Sequence, residues 1–148
     1  MSIALFAAIA AGVLIAVQST IIGAFGATMH PFVAAMWVHL GGLAFGALAV
    51  LTVPRFGFQV AALRQAPWGL LAGVAGMLLV TGVAVAVGGL GLASTLAMIT
   101  AVQLLVGFVI ESTGLLGRVV ALDPVRVGGA ILIAVGVFVV VSRGPSAA

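Results

Sequence analysis

Residues 3–27 read IALFAAIAAGVLIAVQSTIIGAFGA, a continuous apolar stretch without a charged side chain. A helix needs about 20 mostly apolar residues to cross the hydrocarbon core of a bilayer, so this stretch is long enough to span one. The rest of the chain repeats the pattern, and we predict spans over about 3–27, 31–53, 68–87, 93–116 and 124–142. The sequence therefore predicts an all-α fold, a polytopic transmembrane helix bundle in which residues 1–148 form a single transmembrane domain.

The composition excludes a soluble protein. The chain is 65% hydrophobic and 5% charged, whereas about a quarter of the residues of soluble domains are charged. All five basic residues are scattered arginines, so the net charge of +3 does not form the basic face that nucleic acids require. The absence of cysteine excludes disulfides and thiolate metal sites. We expect the lipid bilayer as a partner, no nucleic acid, no metal and no cofactor.

Enzymatic activity is not expected either. The sequence contains no phosphate-binding loop, no HExxH motif and no nucleophile with a plausible base beside it. Its two acids are Glu111 and Asp123, and its two histidines, His30 and His39, lie far from them along the chain. One glutamate and a distant histidine make a poor hydrolytic pair, so we predict that the protein is not an enzyme.

Helix boundaries are marked by capping residues. Pro31 suits the first turn of the second helix, and Asp123 followed by Pro124 predicts the N-cap and first residue of the fifth. A glycine-rich turn precedes the fourth span, for which we predict Ser94 or Thr95 as the cap. The longest connection, residues 54–67, alternates aromatic and basic residues and is expected to lie along the membrane interface.

The arginines predict an orientation. Five spans place the two chain ends on opposite sides of the membrane, and arginine is enriched in cytoplasmic loops. We therefore expect a cytoplasmic N-terminus and an external C-terminus. One side carries four arginines and the other carries one; they are Arg55, Arg64, Arg118 and Arg126 on the first side and Arg143 on the second.

Glycines form short stripes along two of the spans. Gly42 and Gly46 form one pair with small-xxx-small spacing, and Gly69 and Gly73 form another. Such pairs let two helix backbones approach closely, because no side chain separates them. We predict that these four glycines act in helix packing.

A polar stripe runs along the fourth span. At about 100° per residue, Thr100, Gln103, Gly107 and Glu111 fall on one helix face. An intramembrane carboxylate is expected to face a cavity, a partner or a proton path. Glu111 is thus a candidate for substrate binding or proton coupling, with Gln103 and Thr100 beside it. The alternative is that Glu111 pairs with Arg118 or with lipid headgroups at the end of its helix.

Three further residues are candidates for contact with a substrate. His39 lies midway along the second span, where a histidine serves either as an interhelical hydrogen-bonding group or as a substrate or proton-relay group. Gln18 is the most polar residue of the first span, and the same two roles apply to it. Trp37 lies deeper than an interfacial anchor such as Trp68, which makes it a candidate cavity residue.

The chain resembles the YdcZ-type family of the drug/metabolite transporter superfamily at three places: Gln18, the segment VHLGGLAFG (residues 38–46) and the segment LGLASTLAMITAVQLLVGFVIESTGLLG (residues 90–117). The resemblance extends over essentially the whole chain, to DPVRVGGAILIAVGVFVV (residues 123–140). By resemblance, Gln18 and Gln103 match the glutamines of the first and fourth spans, and Glu111 matches the acid, where aspartate is common. His39 occupies a polar position where asparagine or serine is more usual.

The resemblance implies a half-size transporter of the inner membrane that works as a dimer. Two inverted copies around a midplane site are one arrangement of secondary carriers. The expected partner is a second copy, in parallel or antiparallel orientation, or an oppositely oriented paralogue. We predict a secondary transporter of a small metabolite or cation, with Glu111 as the candidate for proton coupling. The alternatives are a small passive ion channel and a structural or regulatory membrane subunit without transport of its own.

Overall fold

The computed structural model describes residues 3–114 and 123–143. No strand occurs among them, and five of the helical segments are long and apolar enough to cross a membrane. The predicted all-α fold with five spans is therefore confirmed. The elements are α1 (Ile3–Gly26), α2 (Pro31–Thr52), α3 (Val60–Gln65), a 3-10 turn (Pro67–Leu70), α4 (Leu71–Leu90), α5 (Leu92–Thr113) and α6 (Pro124–Ser142), and the 3-10 turn continues into α4 to form the third span.

The break between the third and fourth spans is shorter than predicted. Helix α4 continues to Leu90, and Gly91 alone separates it from α5. Gly91 has a φ of +77°, a conformation that glycine adopts at no steric cost, so one residue suffices for the break. The prediction of Ser94 or Thr95 as the cap is wrong, because both lie inside α5. The Thr95 hydroxyl instead donates a hydrogen bond to the Gly91 carbonyl oxygen at 2.8 Å.

Two other predicted caps are confirmed. Pro31 occupies the first turn of α2, and Pro124 that of α6. An Asp123 carboxylate oxygen accepts a hydrogen bond from the Val125 N–H at 2.9 Å, which satisfies one of the free amide groups at the start of α6. His30 acts in the same way at the start of α2, where Nδ1 accepts from a backbone N–H at 3.3 Å. Local sequence therefore sets these two helix starts.

The fourth span ends earlier than its predicted limit. Helix α5 ends at Thr113, and Gly114 follows with a φ of +69°, the left-handed conformation common directly after a helix. The predicted end at residue 116 lies outside the described residues, which resume at residue 123.

The chain divides into two compact units, Met1–Gly88 and Gly89–Ala148, which we call unit 1 and unit 2. In unit 1, the buried residues lie in the second half of α1, the first half of α2 and the second half of α4. We call these three half-helices the packed end of unit 1. The opposite halves carry mostly exposed side chains. The buried residues of the packed end are Ser19, Ile22, Ala34, Ala35, Val80, Val83 and Ala84.

Glycines let α1 and α4 approach closely at the packed end. A Cβ atom built on Gly23 would lie 2.5 Å from Cγ1 of Val87, and one built on Gly26 would lie 3.1 Å from the Cβ of Ala84. Real Cβ atoms do not approach neighbours as closely as the first distance, so Gly23 is required for this contact. The two glycines are three residues apart and therefore share one face of α1.

The glycines predicted to pack helices do not do so inside unit 1. No atom of the described part of this unit lies within 4 Å of a Cβ built on Gly42, Gly46, Gly69 or Gly73. All four lie in the halves of α2 and the third span that point away from the packed end, which explains why they meet no neighbour there. Packing of these glycines beyond unit 1, for example against a second molecule, stays a prediction.

Unit 2 contains α5 and α6, which pack against each other. Arg126, near the start of α6, contacts Glu111, near the end of α5, so the two helices run antiparallel. This arrangement fits a short connection between residues 114 and 123, because such a connection returns the chain to the membrane from the side on which it left. The end of α5 and the start of α6 therefore lie together at one edge of unit 2.

Candidate functional site

The polar stripe predicted from the sequence lies on an uninterrupted helix. Thr100, Gln103, Gly107 and Glu111 all belong to α5, and their spacing places them on one side of it. We call this side the polar face of α5. Gln103 is exposed and makes no hydrogen bond with the described residues of unit 2. The Thr100 hydroxyl donates to the Leu96 carbonyl oxygen at 2.8 Å and is satisfied by its own helix.

Glu111 forms an ion pair at the end of the polar face. Its Oε2 accepts a hydrogen bond from Nη1 of Arg126 at 3.3 Å. About half of each side chain is exposed, 47% for Glu111 and 52% for Arg126. The partner considered from the sequence, Arg118, lies outside the described residues. The sequence indicated Arg126 only as one of the four arginines that predict the orientation, and not as the partner of Glu111.

The length and exposure of the ion pair determine how easily it breaks. A single hydrogen bond of 3.3 Å between half-exposed side chains is weaker than a bidentate buried pair. Arg126 therefore holds Glu111 by a single contact at the end of the polar face. The signal that could have found the pair is the short connection, which brings the end of α5 next to the start of α6.

His39 lies at the contact between α2 and α4 inside unit 1. Its ring is half-buried, and Nδ1 lies 2.9 Å from the Ala35 carbonyl oxygen one turn earlier. A carbonyl oxygen accepts only, so Nδ1 carries the hydrogen, and Nε2 of the neutral ring is left as an acceptor. Nε2 lies 3.0 Å from the position that a Cβ on Gly76 would occupy. The glycine therefore leaves the space into which the ring of His39 fits.

Gln18 and Trp37 point away from the contacts that bury their neighbours. Gln18 is exposed, makes no hydrogen bond with the described residues, and directly precedes Ser19, which is 4% exposed. Trp37 is 51% exposed and lies two residues before His39, about 200° around the helix. The two side chains are thus on opposite sides of α2 and cannot line one wall of a pocket. Contact of either Gln18 or Trp37 with a substrate stays a prediction.

The family model described as "Putative inner membrane exporter, YdcZ" matches residues 3–139. The chain belongs to this family. The match includes all five spans apart from the last turn of α6, and it contains every candidate site residue. No curated protein and no solved structure matches the chain.

Membership in the YdcZ family, together with five spanning helices, makes the protein a multi-pass membrane transporter of the inner membrane. The resemblance inferred from Gln18, residues 38–46 and residues 90–117 is thereby confirmed. The candidate site of this YdcZ protein divides between the units: Thr100, Gln103 and Glu111 share one face in unit 2, whereas Gln18, Trp37 and His39 belong to unit 1. Among the described residues, no cluster of three or more metal-binding side chains occurs.

Proposed function

We propose that this YdcZ protein is one half of a dimeric secondary exporter for a small metabolite or cation, and that the polar face of α5 lines its transport path. The observation that carries the proposal is the exposed amide of Gln103 on the same face as the weakly paired carboxylate of Glu111.

The polar face of α5 is poorly suited to contact with lipid tails. A primary amide without a hydrogen-bond partner costs several kcal/mol in hydrocarbon, because lipid chains offer neither donors nor acceptors. Gln103 has no such partner among the described residues of unit 2 and lies in the middle of α5. A water-filled path, a substrate or a polar group of another molecule would satisfy it. Each of these is a component of a transport site.

The low burial of the spans supports a dimer. In each of the five spans, no more than 17% of the residues in the most apolar 18-residue stretch are buried. A single chain therefore encloses little of its own helix surface, whereas two chains together would cover much more. The exposed glycines Gly42, Gly46, Gly69 and Gly73 would allow close approach of a second copy or of an oppositely oriented paralogue.

Glu111 would act as an exchangeable charge. With no substrate bound, its carboxylate pairs with Arg126. A cationic substrate or a proton would compete with Arg126 for the same oxygens, and Gln103, two turns earlier on the face, would donate or accept hydrogen bonds with the substrate. Exchange between substrate and proton at one carboxylate is the simplest form of proton-coupled export. The arginine bias supports a cytoplasmic position for this end of α5 and an external C-terminus.

Ligand-dependent thermal stability tests this proposal. Purified protein would be heated with methylammonium, guanidinium, tetraphenylphosphonium, a neutral sugar and a carboxylate, each at two pH values. We expect a cation to raise the Tm of the wild type, more strongly at the higher pH, and to have no effect on Glu111→Gln. The matched control is Asp123→Asn, which removes the other carboxylate but keeps a good N-cap, and it should respond like the wild type.

The same panel separates the proposal from its alternatives. A cation that stabilises Glu111→Gln as well as the wild type would remove Glu111 from the site. If no compound stabilises either protein, the next measurement is the flux of the same compounds across vesicles that contain the protein. A flux that does not saturate with concentration would indicate a passive channel, and no flux at all would indicate a subunit without transport of its own.

A further inference from the structure

We infer that residues 54–68, which we call the interfacial arm, form a docking surface for the headgroups of anionic phospholipids. The arm joins α2 to the third span and contains α3. It plays no part in the proposed transport path, and the inference therefore stands or falls independently of that function. Three features of the arm point to a lipid surface: exposed aromatic side chains, two arginines without a partner in the described part of the chain, and a position at one membrane edge.

Large apolar side chains of the arm are exposed instead of packed. Phe58 is 69% exposed and Trp68 72%, and Phe56 and Leu63 are about half-exposed. In the connection between two membrane spans, such side chains are stabilised at the boundary between headgroups and acyl chains, where tryptophan and amphipathic segments concentrate. The short helix Val60–Gln65 lies between them. The apolar part of the arm thus fits a lipid surface.

The arginines of the arm have no partner among residues 3–114 and 123–143. Arg55 and Arg64 are exposed, and neither makes a hydrogen bond or an ion pair with the described residues. Unit 1 contains no aspartate or glutamate, because both acids of the chain, Glu111 and Asp123, lie in unit 2. Arg126, by contrast, is paired with Glu111. The positive charge of the arm can therefore be neutralised only from outside unit 1.

Phosphate diesters complement both features. A guanidinium binds a phosphate through two parallel hydrogen bonds, which suits the headgroup of a phospholipid. Arg55 is followed directly by Phe56, and Leu63 directly precedes Arg64. A headgroup bound to either arginine would therefore have its acyl chains beside an apolar side chain. A free phosphate would contact only the two arginines, whereas a phospholipid would also contact the apolar side chains beside them. We therefore propose a phospholipid as the ligand.

The helices on either side hold the arm at the membrane edge. Helix α2 ends at Thr52, three residues before Arg55, and the third span begins at Pro67, three residues after Arg64. Each arginine is therefore three residues from the end of a span, and both lie at the same membrane surface. Basic residues this close to an anionic surface gain the most attraction, because the potential falls off within a Debye length.

Native mass spectrometry of the full chain in detergent micelles tests the inference without depending on how the protein inserts into a bilayer. Phosphatidylglycerol and phosphatidylcholine would be titrated against the wild type, Arg55→Gln/Arg64→Gln and the control Arg143→Gln, which removes one arginine that does not belong to the arm. We expect the wild type and the control to bind phosphatidylglycerol more tightly than phosphatidylcholine. The double variant should bind it about 30-fold more weakly, given the usual attraction of two arginines to an anionic surface.

Two further variants keep the test decisive. Arg55→Lys/Arg64→Lys retains the charge and should recover part of the binding, which a loss caused by misfolding would not allow. Trp68→Ala should weaken phosphatidylglycerol binding but not the binding of glycerol 3-phosphate, if any is seen. The inference is overturned if Arg55→Gln/Arg64→Gln binds phosphatidylglycerol like the wild type. It is also overturned if glycerol 3-phosphate binds as tightly as the lipid, which would indicate a site for free phosphate.

Discussion

His39 of unit 1 and the polar face of α5 in unit 2 hold their polar groups in different ways. In unit 1, which has no acid, His39 bonds to its own helix and fits against Gly76, and small residues bring α1 close to α4. In unit 2, Gln103 is exposed and Glu111 is held by one long hydrogen bond. Polar groups that are satisfied locally stabilise a fold, whereas polar groups that are left available can bind something else. Under the proposed function, the contrast assigns packing to His39 and transport chemistry to the polar face of α5, and Gln18 of unit 1 is exposed like Gln103.

The largest effect is expected at Glu111. In vesicles loaded with a cation that stabilises the protein, Glu111→Gln should reduce export roughly 10- to 100-fold, the cost of losing a hydrogen bond to a charged group. Asp123→Asn should leave export unchanged, because asparagine caps α6 as well as aspartate does. Initial rates of efflux measure both. Equal losses in the two variants would mean that total charge, and not the polar face, determines transport.

The next effect is on stability and concerns unit 1. Gly23→Ala would place a methyl group 2.5 Å from the Val87 side chain, and we expect a loss of about 1–3 kcal/mol as α1 and α4 move apart. Gly12→Ala adds the same group on the same helix, at a position with no described atom within 4 Å, and should change little. Thermal unfolding in detergent compares the two. A Gly12→Ala variant that is destabilised as much as Gly23→Ala would show that the loss does not come from the contact with Val87.

A smaller effect is expected at the contact between α2 and α4. A methyl group on Gly76 would lie 3.0 Å from Nε2 of His39, so Gly76→Ala should displace the ring and cost about 1 kcal/mol. In a His39→Ala background the same substitution should cost almost nothing, because the atom it would meet is gone. A double-mutant cycle measures this coupling. Additive costs of the two substitutions would show that His39 and Gly76 do not contact each other.

The smallest effect concerns the start of α6. Asp123→Ala removes the carboxylate that accepts the Val125 N–H and should cost about 1 kcal/mol, whereas Asp123→Asn should cost a few tenths at most. Thermal unfolding again provides the measurement. This comparison tests whether the fold of unit 2, like that of unit 1, depends on local hydrogen bonds.

Local patterns predicted most of the fold. Apolar length located all five spans, and Asp123 with Pro124 marked the start of α6, because capping depends only on neighbouring residues. The single-residue break at Gly91 could not be foreseen, since two preceding glycines looked equally able to end the helix. The packing of Gly23 and Gly26 was missed for a different reason: spacing identifies a smooth helix face but not the neighbour that meets it.

The candidate site was predictable along one helix and not between helices. The periodicity of α5 put Thr100, Gln103 and Glu111 on one face, because that is a property of a single element. The ion pair of Glu111 with Arg126 joins residues 15 positions apart across two helices, and only the short stretch of sequence between those helices indicates it. Trp37 and His39 seemed close in sequence, yet two residues along a helix point to opposite sides.

Thiol accessibility at Gln103 tests most directly whether the polar face of α5 lines the transport path. The chain has no cysteine, so Gln103→Cys and the control Leu105→Cys, about 200° around the same helix, each carry a single thiol. We predict that a water-soluble, membrane-impermeant thiol reagent labels Gln103→Cys in vesicles, that a stabilising cation slows this labelling, and that Leu105→Cys stays unlabelled. The account would be contradicted if, in the absence of any ligand, the reagent labelled Leu105→Cys but did not label Gln103→Cys.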